Sequence, residues 1–257
     1  MESEIITSLD NANVKEARSL NDKKHRRFHG KFLIDGEKLV YEAVCGACEI
    51  DKIFVDESKY SNFEYILSKF DGKIIKTTTK VMASISENVT PQGIIAEVFM
   101  RETGEFEPEK NQPIIILDRV QDPGNLGTII RTAAATGYET IVLIDTVDAY
   151  SPKVIRSSSG GILYLDIFRM SEKEILSYCK KNNVELLVAD MDGINIFNAN
   201  IQNQNYALVI GNEGQGVSEN FKELGRRISL PMKSQMESLN AGVSASVLMY
   251  ILKGDKI

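Results

Sequence analysis

The chain has 257 residues, 43% of them apolar, and a formal charge of −6; it is long enough for one large or two ordinary cores, and its bulk charge excludes binding nucleic acid by net charge alone. Three cysteines, Cys45, Cys48 and Cys179, are too few for a disulfide framework and point to a reducing, cytoplasmic setting. No signal peptide opens the chain and no apolar run has the length of a membrane span, so no membrane partner is expected.

Residues 1–100 alternate helical and extended patterns. "NVKEARSLND" reads as helix, "KFLIDG" as strand, "EKLVYEAVCGA" as helix and "IDKIFVD" as strand. "SNFEYILSKF" is helical, "GKIIKT" extended, "TTKVMASISE" a helix capped by Thr77 or Thr78, and "GIIAEVFM" a closing strand. This is a small α/β domain. Its one charge anomaly runs from Lys15 to Lys31, where Lys23, Lys24, Arg26 and Arg27 crowd together with both histidines, His25 and His29. The segment reads either as a solvated charged loop or as a surface for a polyanion. Cys45 and Cys48 have C-x-x-C spacing, but no second pair completes a zinc site, so they read as packing residues and no metal is expected.

Residues 101–112, "RETGEFEPEKNQ", are charged and lack an apolar period, as a linker does. A second pattern then fills 113–257. Strand "PIIIL" leads to a helix over 125–136, strand "TIVLI" to a short helix near 152–158, and strand "LYLDIF" to a helix over 171–182. "VELLVAD", "YALVIG" and "RISLPM" are further strands, with a last helix over 239–252. Strands as apolar as "PIIIL" and "YALVIG" are covered by helices on both faces, which predicts an α/β fold with a parallel sheet.

Three strand–loop–helix corners carry polar residues that a turn does not need. In "LDRVQDPGNLGTIIRTAAATG" the apolar positions of the helix share one face, which sends Asn125 and Arg131 to the other, near the strand's C-terminal end where ligands of open α/β sheets bind. Taken alone, the corner reads better as Asn125 an N-cap and Arg131 a surface residue, with Gly137 as the helix stop. "YALVIGNEGQGVSENF" places Glu213 among Gly211, Gly214 and Gly216. "ISLPMKSQMESLNAGVSASVLMYIL" sets Ser238 and Asn240 at the start of a helix rich in small residues, which predicts close packing against the chain itself or a second subunit.

In order and spacing these corners resemble the three motifs of the SpoU (TrmH-like) branch of the SPOUT RNA methyltransferases. The N-terminal "KFLIDGEKLVYEAV" followed by "IDKIFVDE" is similar to the L30e-like substrate-binding domain that precedes many rRNA methyltransferases of that family. The resemblance implies a Rossmann-like parallel sheet with a deep trefoil knot, a homodimer, and S-adenosylmethionine as methyl donor. It implies that Gly211, Leu230 and Leu239 contact the donor, and that Asn125, Arg131, Glu213, Ser238 and Asn240 form the catalytic group. Ser234 departs from the family, which commonly has Gly there; "SQMESLN" is instead similar to the subgroup of thiostrepton-resistance rRNA methyltransferases.

The implied reaction methylates a ribose 2′-hydroxyl, with 23S rRNA as the substrate the N-terminal domain favours. A guanidinium at 131 suits phosphate binding or stabilisation of a developing alkoxide better than proton abstraction, because it stays protonated. Lys23, Lys24, Arg26 and Arg27, with Lys153 and Arg156 of "SPKVIRSSSGG", are the expected RNA contacts. The alternatives are a tRNA ribose methyltransferase of the same family and a non-catalytic knotted RNA-binding protein. A dinucleotide-dependent oxidoreductase is excluded, because no G-x-G-x-x-G follows the first strand of either half.

Overall fold

The alternation of helix and strand in the first hundred residues becomes a four-stranded sheet, and the second alternation becomes a six-stranded one. The computed structural model describes residues 4–101, 106, 108, 112–201, 203–233, 235 and 238–254. Most of the expected linker (102–105, 107 and 109–111) and Ser234 therefore lie outside the described residues. The chain divides into two compact units, one of Met1–Glu102 with Tyr150–Ile155, the other of Thr103–Ala149 with Arg156–Ile257.

In the first unit, β1 (Lys31–Asp35), β2 (Ile50–Asp56), β3 (Lys73–Thr77) and β4 (Ile94–Phe99) lie in the order β1-β4-β2-β3. The β2–β3 pair is parallel and the pairs with β4 are antiparallel. Helices α1 (Ala12–Ser19), α2 (Lys23–His29), α3 (Glu37–Glu42), α4 (Glu64–Leu67) and α5 (Thr79–Ile85) complete it. Val14 and Ala17 of α1 pack with Phe54, Ile75, Val81, Met82 and Ile95 into its core. Thr78 is the N-cap of α5, its hydroxyl accepting from Val81 N. The helix expected over "SNFEYILSKF" is shorter: its first three residues end a 3-10 turn, Glu57–Phe63, and only α4 is α-helical. Cys45 is exposed and Cys48 half-buried; burial pushes the Cys48 thiol up to about 11, an unreactive state at neutral pH.

The basic segment is neither a loop nor uniformly exposed. Asp22 caps α2 by accepting from Lys24 N and His25 N, and Gly30 ends it at φ 64°. Arg26 corrects the sequence reading: it is 3% exposed, and its guanidinium donates to the Leu20 and Asn21 carbonyls, each at 2.8 Å. It is a tether, not an RNA contact. Lys23, Lys24 and Arg27 remain exposed. Lys31, at the end of the segment, also turns inward, to Glu16 and Asp51 at 2.8 Å.

In the second unit, β5 (Ile114–Asp118), β6 (Thr140–Ile144), β7 (Asp166–Arg169), β8 (Glu185–Asn195), β9 (Tyr206–Ile210) and β10 (Arg226–Ser229) form one sheet. Its order is β10-β8-β9-β5-β6-β7 and every neighbouring pair is parallel, so all six C-terminal ends lie along one edge. Helices α6 (Pro123–Ala135), α8 (Glu172–Lys181), α9 (Glu219–Leu224) and α10 (Ala241–Lys253) connect and follow these strands, and α7 (Pro152–Ser158) begins in the segment assigned to the first unit and ends in the second. Ile114, Ile116, Val142, Val188, Val209, Ile175 and Phe221 belong to the core on one face, and Ile115, Leu117, Leu208 and Ile210 between them are buried as well, which accounts for the continuous apolar runs of β5 and β9. Phe106, within the expected linker, packs edge-on against Phe168 and Tyr178 at 4.8 and 4.7 Å. The strand expected over "LYLDIF" is shortened because Gly161–Leu163 form a 3-10 turn.

Candidate active site

The chain runs outward from β5 through β6 to β7, then returns to the other side of β5 with β8 and β9. The strand order therefore reverses between β5 and β9, and the crevice at the C-terminal ends of those strands is where an open α/β sheet takes its ligand. The first two polar corners of the sequence meet there.

They meet through Glu213. Its carboxylate accepts from Asn125 Nδ2 at 2.9 Å and from the backbone amides of Asp122 and Gln121 at 3.2 and 3.4 Å. One side chain from the loop after β9 thus fixes the loop after β5 and the first turn of α6. Partial burial acts to raise the Glu213 pKa, but these hydrogen bonds outweigh it and hold the carboxyl below the usual carboxylate range. Asn125 is only 8% exposed, and it is not the N-cap. Asp122 is, accepting from Asn125 N at 2.8 Å, so α6 begins at Pro123, ahead of the expected 125.

The third corner reaches the same helix. Asn240 caps α10, its Oδ1 accepting from Val243 N at 3.2 Å. Two residues on, α10 crosses α6 at Gly242, where a β-carbon would stand 3.3 Å from Asn125 Cα and 3.2 Å from Thr128 Cβ. Thr132 and Ser246 share a hydroxyl–hydroxyl hydrogen bond of 2.8 Å farther along. The small residues of α10 therefore serve contact with the chain's own α6. An adjacent side of the helix, with Val243, Val247 and Tyr250, is exposed.

Arg131 lies on α6, exposed, about 9 Å along the axis from Asn125. Its guanidinium makes no hydrogen bond or ion pair among the described residues, so it is not oriented by Glu213. Gly211 is buried at the end of β9, and its α-carbon faces the returning backbone of Gly216 and Val217; a β-carbon there would come within 2.3 Å of both. Leu230 is half-buried just after β10, and Ser238 and Leu239 are exposed ahead of α10. Lys153 and Arg156 are exposed on α7.

Sequence reasoning passed over a second clamp at the same edge. Buried Asp118, the last residue of β5, binds the Arg119 guanidinium through both oxygens at 2.9 and 3.0 Å and accepts from Ser218 N at 2.7 Å. Arg119 also donates to Gln215 Oε1 at 3.2 Å, and Asn212 Nδ2 donates to the Arg119 carbonyl at 2.9 Å. Arg119 adopts φ 61°, a left-handed conformation uncommon for a non-glycine residue. The signal was a run of polar residues, "DRVQD", directly after an apolar strand.

Comparison with known proteins follows this geometry. The SpoU rRNA Methylase family matches residues 112–250, and the MRM3-like substrate binding domain matches residues 11–96. The chain is 34% identical to the 23S rRNA (guanosine(2553)-2'-O)-methyltransferase RlmP of Bacillus subtilis, over 97% of this chain and 99% of that protein. Among solved structures it is similar to an AdoMet-bound rRNA methyltransferase from Sinorhizobium meliloti, with a TM-score of 0.86, 26% identity and 98% of each chain covered. It is also similar to the SpoU methyltransferase AviRb from Streptomyces viridochromogenes in complex with AdoMet, with a TM-score of 0.84, 25% identity, and 96% of this chain and 98% of that one covered. The chain belongs to the SpoU rRNA methylase family of RNA methyltransferases.

Proposed function

We propose that this protein transfers a methyl group from S-adenosylmethionine to a ribose 2′-hydroxyl of 23S rRNA. The observation that carries the reading is the meeting of the three corners at the β5/β9 switch point, with Asn125 held by Glu213 and Arg131 without a hydrogen bond or ion pair among the described residues. The likeness to the Bacillus subtilis 23S rRNA enzyme supports the substrate.

The donor fits the residues present. Leu230 and Leu239 offer apolar surface beside a stretch whose described residues make no backbone hydrogen bond before Asn240, so amides and carbonyls there are available to a polar ligand. Gly211, Leu230 and Leu239 would hold it. Bound S-adenosylmethionine supplies an electrophilic methyl on a sulfonium. A dry crevice favours such a transfer, because donor and nucleophile carry opposite charges that cancel as the methyl moves.

Arg131 binds the RNA's phosphate and stabilises charge developing on the 2′-oxygen. It is not the base, because guanidinium stays protonated. Glu213 is not the base either: its carboxylate is committed to Asn125 and two amides and is held in the ionised form. The proton leaves to a phosphate oxygen of the RNA or to water. Glu213 is a positioning residue for Asn125. Asn240 sets the start of α10 against α6, and Ser238 is close enough in sequence to share in holding the ribose. Lys23, Lys24, Arg27, Lys153 and Arg156 supply cationic surface for the RNA backbone.

The reading includes a homodimer and the trefoil knot of the family. Support for the dimer comes from α10 and the residue before its cap. Val243, Val247 and Tyr250 of α10 fall within an arc of about 60° at helical spacing, and they are exposed together with Leu239 just ahead of the cap. No helix among the described residues is long and apolar enough to cross a membrane.

The test is transfer of labelled methyl to large-subunit rRNA from cells lacking the protein, with tRNA from the same cells in parallel. Label in the rRNA is expected; label in tRNA alone would overturn the substrate assignment.

A further inference from the structure

We propose that Phe28 is a stacking platform for an unpaired RNA base, with Lys24 and Arg27 beside it to engage the flanking phosphates. The proposal deepens the RNA-methyltransferase reading and rests on it.

Helix α2 is short, yet three independent contacts fix it. Asp22 caps its start, Gly30 closes its end, and Arg26 ties it to the Leu20 and Asn21 carbonyls. At about 100° per residue, Phe28 points some 160° away from Arg26, so the tether that roots the helix also turns the phenyl ring outward. Phe28 is 81% exposed. The His29 ring meets it edge-on at 5.0 Å and 90°, and His25 and His29 lie in stacked orientation at 6.4 Å. The phenyl ring is thus held in place from one side.

The charges around the ring have no ion-pair partner among the described residues. Lys24 and Arg27 flank Phe28 on the helix, both exposed, and neither forms an ion pair among the described residues. Asp22, the nearest acid in sequence, accepts from the amides that begin the helix. A fixed aromatic face bordered by unpaired cations matches a single-stranded nucleic acid, whose bases stack while its phosphates take the charge. An acidic peptide would use the cations and leave the ring idle. Stacking accepts any base, so the platform adds affinity without choosing the nucleotide.

The protein has no tryptophan, which makes the test direct. Phe28→Trp introduces a single indole emitter at the proposed contact. Titration with large-subunit rRNA from cells lacking the protein is expected to quench its emission, whereas heparin, a polyanion without bases, and polyglutamate are expected to leave it unchanged. Phe28→Ala is expected to raise KM for the RNA about tenfold or more, with kcat, donor binding and Tm unchanged because the ring is not part of a core. Normal methylation by Phe28→Trp without quenching, or an unaltered KM in Phe28→Ala, would overturn the platform and leave the enzymatic reading standing. Equal quenching by polyglutamate would assign the surface to an acidic peptide instead. Failure of the unaltered protein to bind or methylate the rRNA would overturn both.

Discussion

Glu213 and Asn125 are separated by 88 positions in the chain and joined by one 2.9 Å hydrogen bond. Replacing the carboxylate with an amide of the same shape turns one acceptor into a donor that faces either the Gln121 amide, at Oε2, or the Asp122 amide and Asn125 Nδ2, at Oε1. Glu213→Gln is therefore expected to lower kcat by about a hundredfold while S-adenosylmethionine binding, measured by calorimetry, changes little. Loss of donor binding to the same degree would contradict the positioning role. Because the Glu213 pKa is lowered, its contribution holds above the ordinary carboxylate range and is lost only as pH falls through the lowered value. No Glu213-dependent step in the pH–rate profile is expected near neutrality. Arg131→Ala is expected to abolish transfer and keep donor affinity, since the residues assigned to the donor lie on the other two corners. At this scale the sequence identified the unusual polar residues, because a turn does not need a carboxylate among its glycines and a helix does not need an Arg opposite its apolar side. It could not pair them. The partnership of Glu213 with Asn125 is long-range, and the inward turn of Arg26 depends on two carbonyls that only the fold brings together.

The elements themselves were legible where an apolar period was strong. β5, β9, α6 and α10 fall close to their expected positions, while α2 was not expected as a helix because "KKHRRFH" has one apolar residue and no stripe. Caps and a tether, not an apolar face, define it. The crossing of α6 and α10 is fixed at Gly242, and Gly242→Leu is expected to destabilise the fold by about 1–3 kcal/mol, seen as a lower Tm. An unchanged Tm would show that the helices do not depend on that approach. In the first unit, α1, β1, β2 and β4 converge on Glu16, Lys31, Asp51, Lys52 and Glu97. Three carboxylates face two ammonium groups, so the cluster balances when one acid is neutral. Glu97 is that acid: it is fully buried, and burial, opposed by Lys52 at 3.2 Å and reinforced by Glu16, raises it from its ordinary 4.5 to about 7. A raised carboxyl pKa means the folded state holds the proton longer, so this group's contribution falls as pH rises from 4.5 to about 7. Glu97→Gln is expected to flatten that decline, by up to about 3 kcal/mol, in urea unfolding followed across pH. A decline as steep as that of the unaltered protein would contradict it.

Across the whole molecule, the sequence conveyed a small α/β domain followed by a parallel α/β sheet, and the two observed sheets have those characters. The strand order, β10-β8-β9-β5-β6-β7, was not readable from it, because nothing local says that β9 inserts beside β5. That insertion creates the switch point, and with it the site. The exposed line Val243, Val247 and Tyr250 on α10 makes a further expectation: Val247→Glu should yield a monomer by sedimentation and strongly reduce methyl transfer, whereas a dimer of unchanged affinity would contradict the assigned face. The proposed methyl acceptor is a ribose oxygen. Large-subunit rRNA methylated by the protein from labelled S-adenosylmethionine should be hydrolysed in alkali and the labelled product sized. The account predicts label in an alkali-resistant dinucleotide, since a methylated 2′-oxygen cannot attack its neighbouring phosphate; label released in single nucleotides would place the methyl on a base and contradict it.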